Sequence, residues 1–265
     1  MSATILMFAA SILGQEAGAG KVDAKLDFMK AAAASYRIAL DGDTARLLHL
    51  QAEPSFRMGK QAADAGVEEG AIFFWADEVG RPEAAAQVFL VRNSGAPNGL
   101  WIHEFISLSP GTFTGERAGR SSWSPRQPGV EFRAVPGAPK PASTIAQRSS
   151  QMRALAREFH VSDYFNDKRW LELRLLPTPV ARYGKVGATV EDGGLFAFVT
   201  GTDPEAFLFL EVRPGKDGAQ WQYAFAPMTC YELKGTHAGK AVWDIPYRKD
   251  AKDPSKPYYV HLDRP

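Results

Sequence analysis

The sequence predicts an α+β protein made of two tandem repeats, each with one helix packed on an antiparallel sheet of four to five strands, and related by an approximate twofold axis. Three observations predict this class. The two halves of the 265-residue chain match each other, each half opens with a helical pattern followed by strand patterns, and a proline-rich stretch separates them. Antiparallel pairing is expected because short turns join the consecutive strand patterns.

The match between the halves keeps a nearly constant displacement along the chain. Gly70 and Gly193 begin similar apolar runs 123 positions apart, and Trp123 and Trp243 close similar blocks 120 positions apart. Such a small drift over the matched length indicates an internal duplication. Each unit is too long for a solenoid repeat, so we expect each copy to form a subdomain.

Each unit is expected to begin with a helix, over residues 27–40 in the first and 143–159 in the second. Apolar residues recur there at helical spacing among good helix formers. The strands expected to follow are 46–52, 70–76, 84–92 and 100–108 in the first unit, and 170–176, 194–200, 206–213 and 221–226 in the second, with a short closing run near Trp123 and Trp243.

These patterns divide the chain into four segments. Residues 1–20 are expected to form a signal peptide or disordered leader, and residues 21–123 the first repeat unit. Residues 124–142 form a Pro-rich linker, in which Val130 to Val135 has the pattern of an edge strand, and residues 143–265 form the second unit.

The N-terminal segment predicts export to the periplasm or the medium. Residues 3–13 are an uncharged apolar run as long as the core of a signal peptide, and small residues follow at 17–20. No Lys or Arg precedes the run, so a helix of the folded protein is the alternative and a cytoplasmic location stays open. No uncharged apolar run approaches the about 20 residues that a membrane span needs, which predicts no transmembrane segment.

Composition and motifs exclude several classes of protein. A net charge of +1 gives no basic field, which argues against a nucleic-acid partner. The single Cys230 cannot form an intrachain disulfide, and the five histidines lack metal-ligand spacing, so no metal is predicted. Nucleophile-elbow, phosphate-loop and dinucleotide motifs are absent from the sequence, so no cofactor is predicted either.

The strand around His103 and Glu104 carries the candidate catalytic residues. Alternation puts Glu104 in a row with Ile102 and Ile106, where desolvation would raise the pKa of its carboxyl group as in a general acid. In the second unit Tyr223 and Ala224 replace His103 and Glu104. Asp77, in a nearby turn, is the third candidate. The structural alternatives are a paired acid at Glu104 and a satisfied, half-buried histidine at His103.

Aromatic residues supply the candidate binding residues: Trp101, Trp221 and Tyr223. Residues kept in both copies are most simply explained by folding, so the paired tryptophans are expected to be structural, with ligand stacking as the alternative. Glu83 and Glu205 occupy equivalent turns and are expected to be solvated.

Several of these motifs also resemble a family. Residues 191–205, the strand that begins Trp221-Gln222-Tyr223-Ala224 and the helix over residues 151–159 are similar to an uncharacterised family of bacterial proteins, often with signal peptides. The resemblance covers most of residues 25–245. It implies export and the doubled architecture, and it carries no assigned activity or catalytic residues.

The functional hypothesis is a non-catalytic exported protein that binds a small molecule or a protein partner in the cell envelope. It follows from the lack of recognisable catalytic motifs in the sequence. The alternative is a hydrolase-type enzyme that uses Glu104 with His103 or Asp77 at a cleft between the repeats. Convergence of these side chains at a concave surface would favour the enzyme.

Overall fold

A computed structural model of the chain describes residues 16–41, 43, 46–59, 67–92, 99–165, 169–216 and 218–263. Residues 1–15, which hold most of the predicted leader, lie outside the described residues. The elements of the first half are α1 (Glu16–Ala34), β1 (Tyr36–Leu40), β2 (His49–Leu50), β3 (Phe56–Met58), β4 (Val67–Ala76), β5 (Pro82–Val91), β6 (Leu100–Ser107), β7 (Phe113–Arg117), β8 (Arg120–Trp123) and β9 (Arg133–Ala134).

The second half repeats this order of elements with one additional strand, the second after its helix. They are α2 (Ile145–Ala156), β10 (Phe159–Phe165), β11 (Arg169–Glu172), β12 (Arg174–Leu175), β13 (Ala181–Tyr183), β14 (Asp192–Thr200), β15 (Asp203–Gly215), β16 (Gly218–Pro227), β17 (Leu233–His237), β18 (Lys240–Ile245) and β19 (Tyr258–Asp263).

The prediction of an α+β fold with two helix-on-sheet repeats is wrong. The structure is mostly β, with 52% strand and 11% helix, and its four antiparallel sheets are arranged like a four-bladed propeller. Two helices occur among the described residues. Each half therefore divides its strands between a large and a small sheet instead of placing them in one sheet.

The strands missed at the ends of the two helices explain this error. The predicted helices run on to residues 40 and 159, but α1 ends at Ala34 and α2 at Ala156. Ser35 Oγ donates to the Ala32 carbonyl at 2.6 Å, and the chain then enters β1, which pairs with β7. In the second half β10 pairs with β17 in the same way. These two strands belong to the small sheets.

The two large sheets exchange one strand with each other. Their orders are β2-β4-β5-β6-β19 and β12-β14-β15-β16-β9. The last strand of the first half, β9, pairs with β16 of the second half, and the last strand of the second half, β19, pairs with β6 of the first. Each large sheet is thus completed by the opposite half of the chain.

The main core lies between the two large sheets. Phe74 of β4 and Phe207 of β15 meet there, with ring centroids 5.9 Å apart. The other face of each large sheet packs on its own helix and small sheet, around Phe73 in the first half and Phe196 in the second. Burial on both faces explains why β4 and β14 are apolar almost throughout, without the alternation of a half-exposed strand.

Candidate functional site

The strand β6 separates the two catalytic candidates that are neighbours in sequence. Side chains alternate between the faces of a strand. His103 packs on the side of Phe105, in the core of the first half, whereas Glu104 lies on the side of Ile106, between the two large sheets. The structure therefore does not bring His103 and Glu104 to one surface.

His103 is fully buried beside Tyr36 and Asp263. The hydroxyl group of Tyr36 lies 2.8 Å from His103 Nδ1, and Asp263 Oδ2 lies 3.6 Å from His103 Nε2. Burial lowers the pKa of His103 to about 4, more than the Asp263 carboxylate raises it. The imidazole is therefore neutral at pH 7, and Arg117 pairs with the Asp263 carboxylate at 2.6 Å.

Glu104 belongs to a group of carboxyl side chains, three of them buried and Asp203 half-buried, that we call the acid cluster: Glu104, Asp163, Asp203 and Glu205. Tyr258 of β19 donates a short hydrogen bond to Glu104, and Gln87 Nε2 donates to Asp203 at 2.9 Å. Burial raises the pKa of Glu104 to about 8 and the pKa values of Asp163 and Asp203 to about 6.

Glu205 corrects a sequence expectation. It was expected to be a solvated turn residue, but it is buried, and burial raises its pKa well above the usual range. The neighbouring charges of the acid cluster raise this pKa further. Glu83, its counterpart in the first half, is buried as well and accepts a hydrogen bond from Arg81 at 2.6 Å. The turn-like composition suggested exposure at these positions, but β5 and β15 are already buried in the core from their first residues onward.

Asp77 lies in the turn between β4 and β5. Its carboxylate accepts hydrogen bonds from the backbone N–H groups of Val79 at 3.0 Å and Arg81 at 2.8 Å. Within the described part of the chain, no hydrogen bond or ion pair joins Asp77 to Glu104 or His103. The three candidates of the hydrolase hypothesis thus occupy three separate environments.

The three aromatic candidates also differ in what surrounds them. Trp101 stacks on Phe28 of α1, with centroids 4.3 Å apart. Trp221 is 1% exposed and packs in the core of the second half. Tyr223 lies against Phe159 and also lines a broad groove of the described surface. Tyr223 thus lies at a concave surface, and Trp221 lines a separate, smaller cavity of about 280 Å³.

This groove, which we call the Trp243 groove, has a volume of about 850 Å³. One wall is the chain segment 128–133 that leads into β9, and the other wall is β18, the edge strand of its sheet. Tyr223, Phe225 and Trp243 form an aromatic floor. The rings of Phe225 and Trp243 stack with an interplanar angle of 11° and centroids 4.7 Å apart.

Charged side chains border the Trp243 groove. Arg213 donates to Glu211 at 2.6 Å and lies over the ring of Phe132, 4.3 Å from its centroid. Arg133 pairs with Glu131 at 3.0 Å. Asp244 also lines the groove, is exposed, and has no ion-pair partner among the described residues.

The corresponding place in the first half is filled by the chain itself. Trp123, the counterpart of Trp243, is 1% exposed, and its indole N–H donates to the carbonyl of Lys256 at 2.9 Å. The N–H groups of Ser124 and Arg126 donate to the carbonyls of Pro254 at 2.8 Å and Ser255 at 3.0 Å. Residues 254–257 therefore cover Trp123, whereas Trp243 is half-buried and faces the groove.

Sequence reasoning missed this difference because it treated both tryptophans as one structural pair. The sequence does carry a signal for this difference, at two other positions. The N–H of Ser107 donates to Pro257, and the residue at the equivalent position of the second half is Pro227. The equivalent of Arg126 is Pro246. Proline has no N–H to donate, so the second half lacks two of the four donors that hold the covering segment.

Two further findings concern metal ions and membranes. No group of three or more His, Cys, Asp or Glu side chains within the described ranges is placed to bind a metal ion. No helix among the described residues is both long and apolar enough to cross a membrane.

Comparisons of the chain with family models, curated proteins and solved structures find no match. The resemblance to an exported bacterial family stays a prediction.

Proposed function

We propose that this protein is a binding protein whose ligand site is the Trp243 groove. The observation that carries the proposal is that Trp123 is covered by the chain and Trp243 borders an open groove. The first half closes the surface over its tryptophan with residues 254–257, and the second half leaves the same surface open. An aromatic floor that the fold elsewhere covers is available for a ligand.

The size and the lining of the groove support binding. Its volume of about 850 Å³ lies within the range of about 300 to 1,000 Å³ found for ligand sites, which combine apolar surfaces with a few polar groups. The acid cluster, where burial raises the pKa values, does not line this groove. We therefore assign the groove to recognition and not to acid–base chemistry.

The test compares what the protein carries when purified from its native host. Asp244→Trp places a large ring in the groove, and Lys240→Trp places the same ring at an exposed position at the start of β18. Mass spectrometry should find molecules retained by the wild type and by Lys240→Trp, and lost from Asp244→Trp. Equal recovery from all three proteins would contradict the proposal.

Export is a second part of the proposal and has its own test. It rests on the apolar run at residues 3–13 and the small residues at 17–20. N-terminal sequencing of the native protein should give a start near residue 20. A start at Met1 on protein recovered from the cytoplasm would refute export without affecting the groove.

A further inference from the structure

The Trp243 groove offers a ligand one flat apolar surface. The rings of Phe225 and Trp243 are nearly parallel, and one face of the indole lies on Phe225, which is 6% exposed. The exposed part of the half-buried Trp243 therefore belongs to its other face and to its rim. Apolar C–H groups of a ligand pack well there, because the face of an aromatic ring carries negative charge density. The floor thus fits a ligand that is flat and apolar on one side.

Polar groups without partners lie next to this floor. Neither the indole N–H of Trp243 nor the hydroxyl group of Tyr223 makes a hydrogen bond within the described ranges. Gln222 Nε2 donates to the carbonyl of Pro214 at 3.1 Å, which leaves the Oε1 atom of Gln222 as an acceptor. The set contains donors and acceptors together, and a hydroxyl group of a ligand can both donate and accept.

The charged side chains of the groove balance each other. Two cations, Arg133 and Arg213, and two anions, Glu131 and Asp244, line it. A charged ligand would therefore meet like and opposite charges in equal number. A neutral ligand avoids this repulsion, and its hydroxyl groups make charge-assisted hydrogen bonds to both kinds of side chain. The balance favours a neutral, hydroxyl-rich ligand.

The groove is preformed and extends beyond its floor. Gly129 N and Val130 N donate to the Ser109 carbonyl at 2.9 and 3.3 Å, which fixes the wall opposite β18. Trp243 also lines a cavity of about 300 Å³ next to the groove, and Arg213 lines another of about 280 Å³. The concave surface therefore accommodates a ligand made of several linked rings without a large ordering cost.

The cavity at Arg213, which we call the side cavity, is lined by a residue that has a buried donor without a partner. This residue is Arg81, which is 3% exposed. Its Nε and Nη1 atoms donate to Glu211 and Glu83 at 2.8 and 2.6 Å, but its Nη2 atom has no acceptor in the described part of the chain. A buried N–H group without an acceptor is costly. A ligand oxygen in the side cavity is a suitable acceptor, and an apolar ligand supplies none.

We propose that the Trp243 groove and the side cavity at Arg81 bind a neutral oligosaccharide. The inference rests on the proposed function and adds the class of ligand. A pyranose ring carries C–H groups on its faces and hydroxyl groups around its rim, which matches an aromatic floor bordered by donors and acceptors. One sugar ring lies on Trp243. Its hydroxyl groups bond to Tyr223 and Gln222, and the next ring reaches Arg213.

The experiment follows the indole N–H signals of the full chain by NMR during titration with uncharged hexasaccharides. The probes are cellohexaose, maltohexaose and the hexamer of N-acetylglucosamine, which differ in linkage and substituent. The chain has six tryptophans, and Trp243→Phe assigns the signal that matters. At least one probe should shift the Trp243 signal in a saturable way. The absence of a shift with all of them at millimolar concentration would overturn the inference.

Trp170 provides the matched control. It is 40% exposed and lies in β11, at the opposite edge of the sheet that ends with β18. Trp243→Ala should weaken binding of the best probe about 30-fold, as expected for a central aromatic contact, whereas Trp170→Ala should leave the affinity unchanged. Trp243→Phe keeps a ring and should weaken binding about threefold, which tests the contact if the alanine variant does not fold. Equal affinities of the two alanine variants would overturn the inference.

Ligand length and ligand charge complete the test. The disaccharide of the best-binding series should bind about tenfold more weakly than the hexamer, because it cannot contact the floor and the side cavity together. Hexagalacturonate, which carries a carboxylate on every ring, should bind no more tightly than the neutral probes. Equal affinity for the two chain lengths would overturn the inference, as would binding of the acidic chain alone.

Three further outcomes concern the groove itself and separate this inference from the proposed function. A Trp243 signal that moves with protein concentration in the absence of sugar would assign the groove to a second copy of this chain and overturn the inference. Failure of all the sugars, together with loss of a co-purifying molecule that is not a saccharide from Asp244→Trp, would keep the binding function and refute the sugar ligand. Failure of the sugars together with equal recovery from the wild type and Asp244→Trp would refute both.

Discussion

The surroundings of Trp123 and of Trp243 differ although the strands that carry them are equivalent. Trp123 contacts Phe105 and Phe113, with centroids 5.0 and 4.7 Å away, and residues 254–257 close over it. Trp243 stacks on Phe225 and borders a groove. The comparison teaches that a residue kept in both copies of a duplicated chain can be closed off in one copy and left at the edge of an open groove in the other.

Truncation of each tryptophan is the strongest way to break this comparison. Trp123→Ala should lower the free energy of unfolding by about 4 kcal/mol, since it leaves a cavity in a closed core. Trp243→Ala should lower it by about 1 to 2 kcal/mol, because part of the ring already faces solvent. Urea denaturation of both variants measures the difference, and equal losses would contradict it.

The acid cluster allows a second comparison, because Glu104 stands where the second half has Ala224. The raised pKa of Glu104, about 8 in the folded state, means that the folded protein holds a proton that the unfolded chain releases above about pH 4.5. The free energy of unfolding should therefore fall as the pH rises from 4.5 to 8, by on the order of 4 kcal/mol.

Glu104→Gln is the matched variant for this pH dependence. The amide oxygen keeps an acceptor for Tyr258, and the titrating group is gone. Denaturation from pH 4.5 to 8 should show a smaller fall in the variant, while Asp163 and Asp203 still lower stability up to about pH 6 and Glu205, whose pKa is also raised, adds to the fall in both proteins. An unchanged slope above pH 6 would refute a raised pKa at Glu104.

His103 should give the opposite dependence on pH, and its counterpart Tyr223 has no titration in that range. Burial lowers the pKa of His103 to about 4, so the unfolded chain takes up a proton below about pH 6.5 that the folded protein does not. Stability should be lost as the pH falls from 6.5 to 4, by about 2 kcal/mol. In His103→Phe this loss should be reduced.

Circular dichroism at pH 4.5 and 7 measures this effect in denaturant titrations. The comparison uses the difference between the two pH values within each protein, because His103→Phe also removes the partner of the Tyr36 hydroxyl. A difference as large in the variant as in the wild type would place the acid-sensitive group elsewhere.

The smallest expected effect concerns the donors that hold the covering segment. Arg126→Pro gives the first half the residue that the second half has at Pro246 and removes one hydrogen bond to Ser255. We expect a loss of about 1 kcal/mol and a Trp123 indole that is more accessible to acrylamide. Arg126→Ala, which keeps the N–H group, should resemble the wild type.

The sequence patterns located the long strands well because those strands are local features. The expected runs at 70–76, 84–92 and 100–108 lie almost entirely within β4, β5 and β6, although the last two runs each extend one residue past their strands. Tyr36 to Leu40 continued a helical spacing, and only pairing with β7 makes this stretch a strand. Secondary structure that depends on a distant partner is invisible to a local pattern, which is why the number of sheets and the fold class were wrong.

The site was harder to predict than the strands. Alternation correctly placed Glu104 in an apolar row, and the raised pKa follows from that burial. Tyr223 was selected from sequence and lines the groove. The role of Trp243 could not be found from its own neighbours, because it depends on residues 254–257 covering Trp123 and on the linker being held at Ser109.

The exchange of β9 and β19 bears on how the chain folds as the ribosome makes it. The first large sheet is incomplete until β19 is synthesised, about 150 residues after β6. Until then, the edge of β6 is open during the seconds that synthesis of the second half takes, at about 5 to 20 residues per second. Neither half completes its sheet alone, so we expect nascent chains arrested before β19 to need a chaperone on that edge.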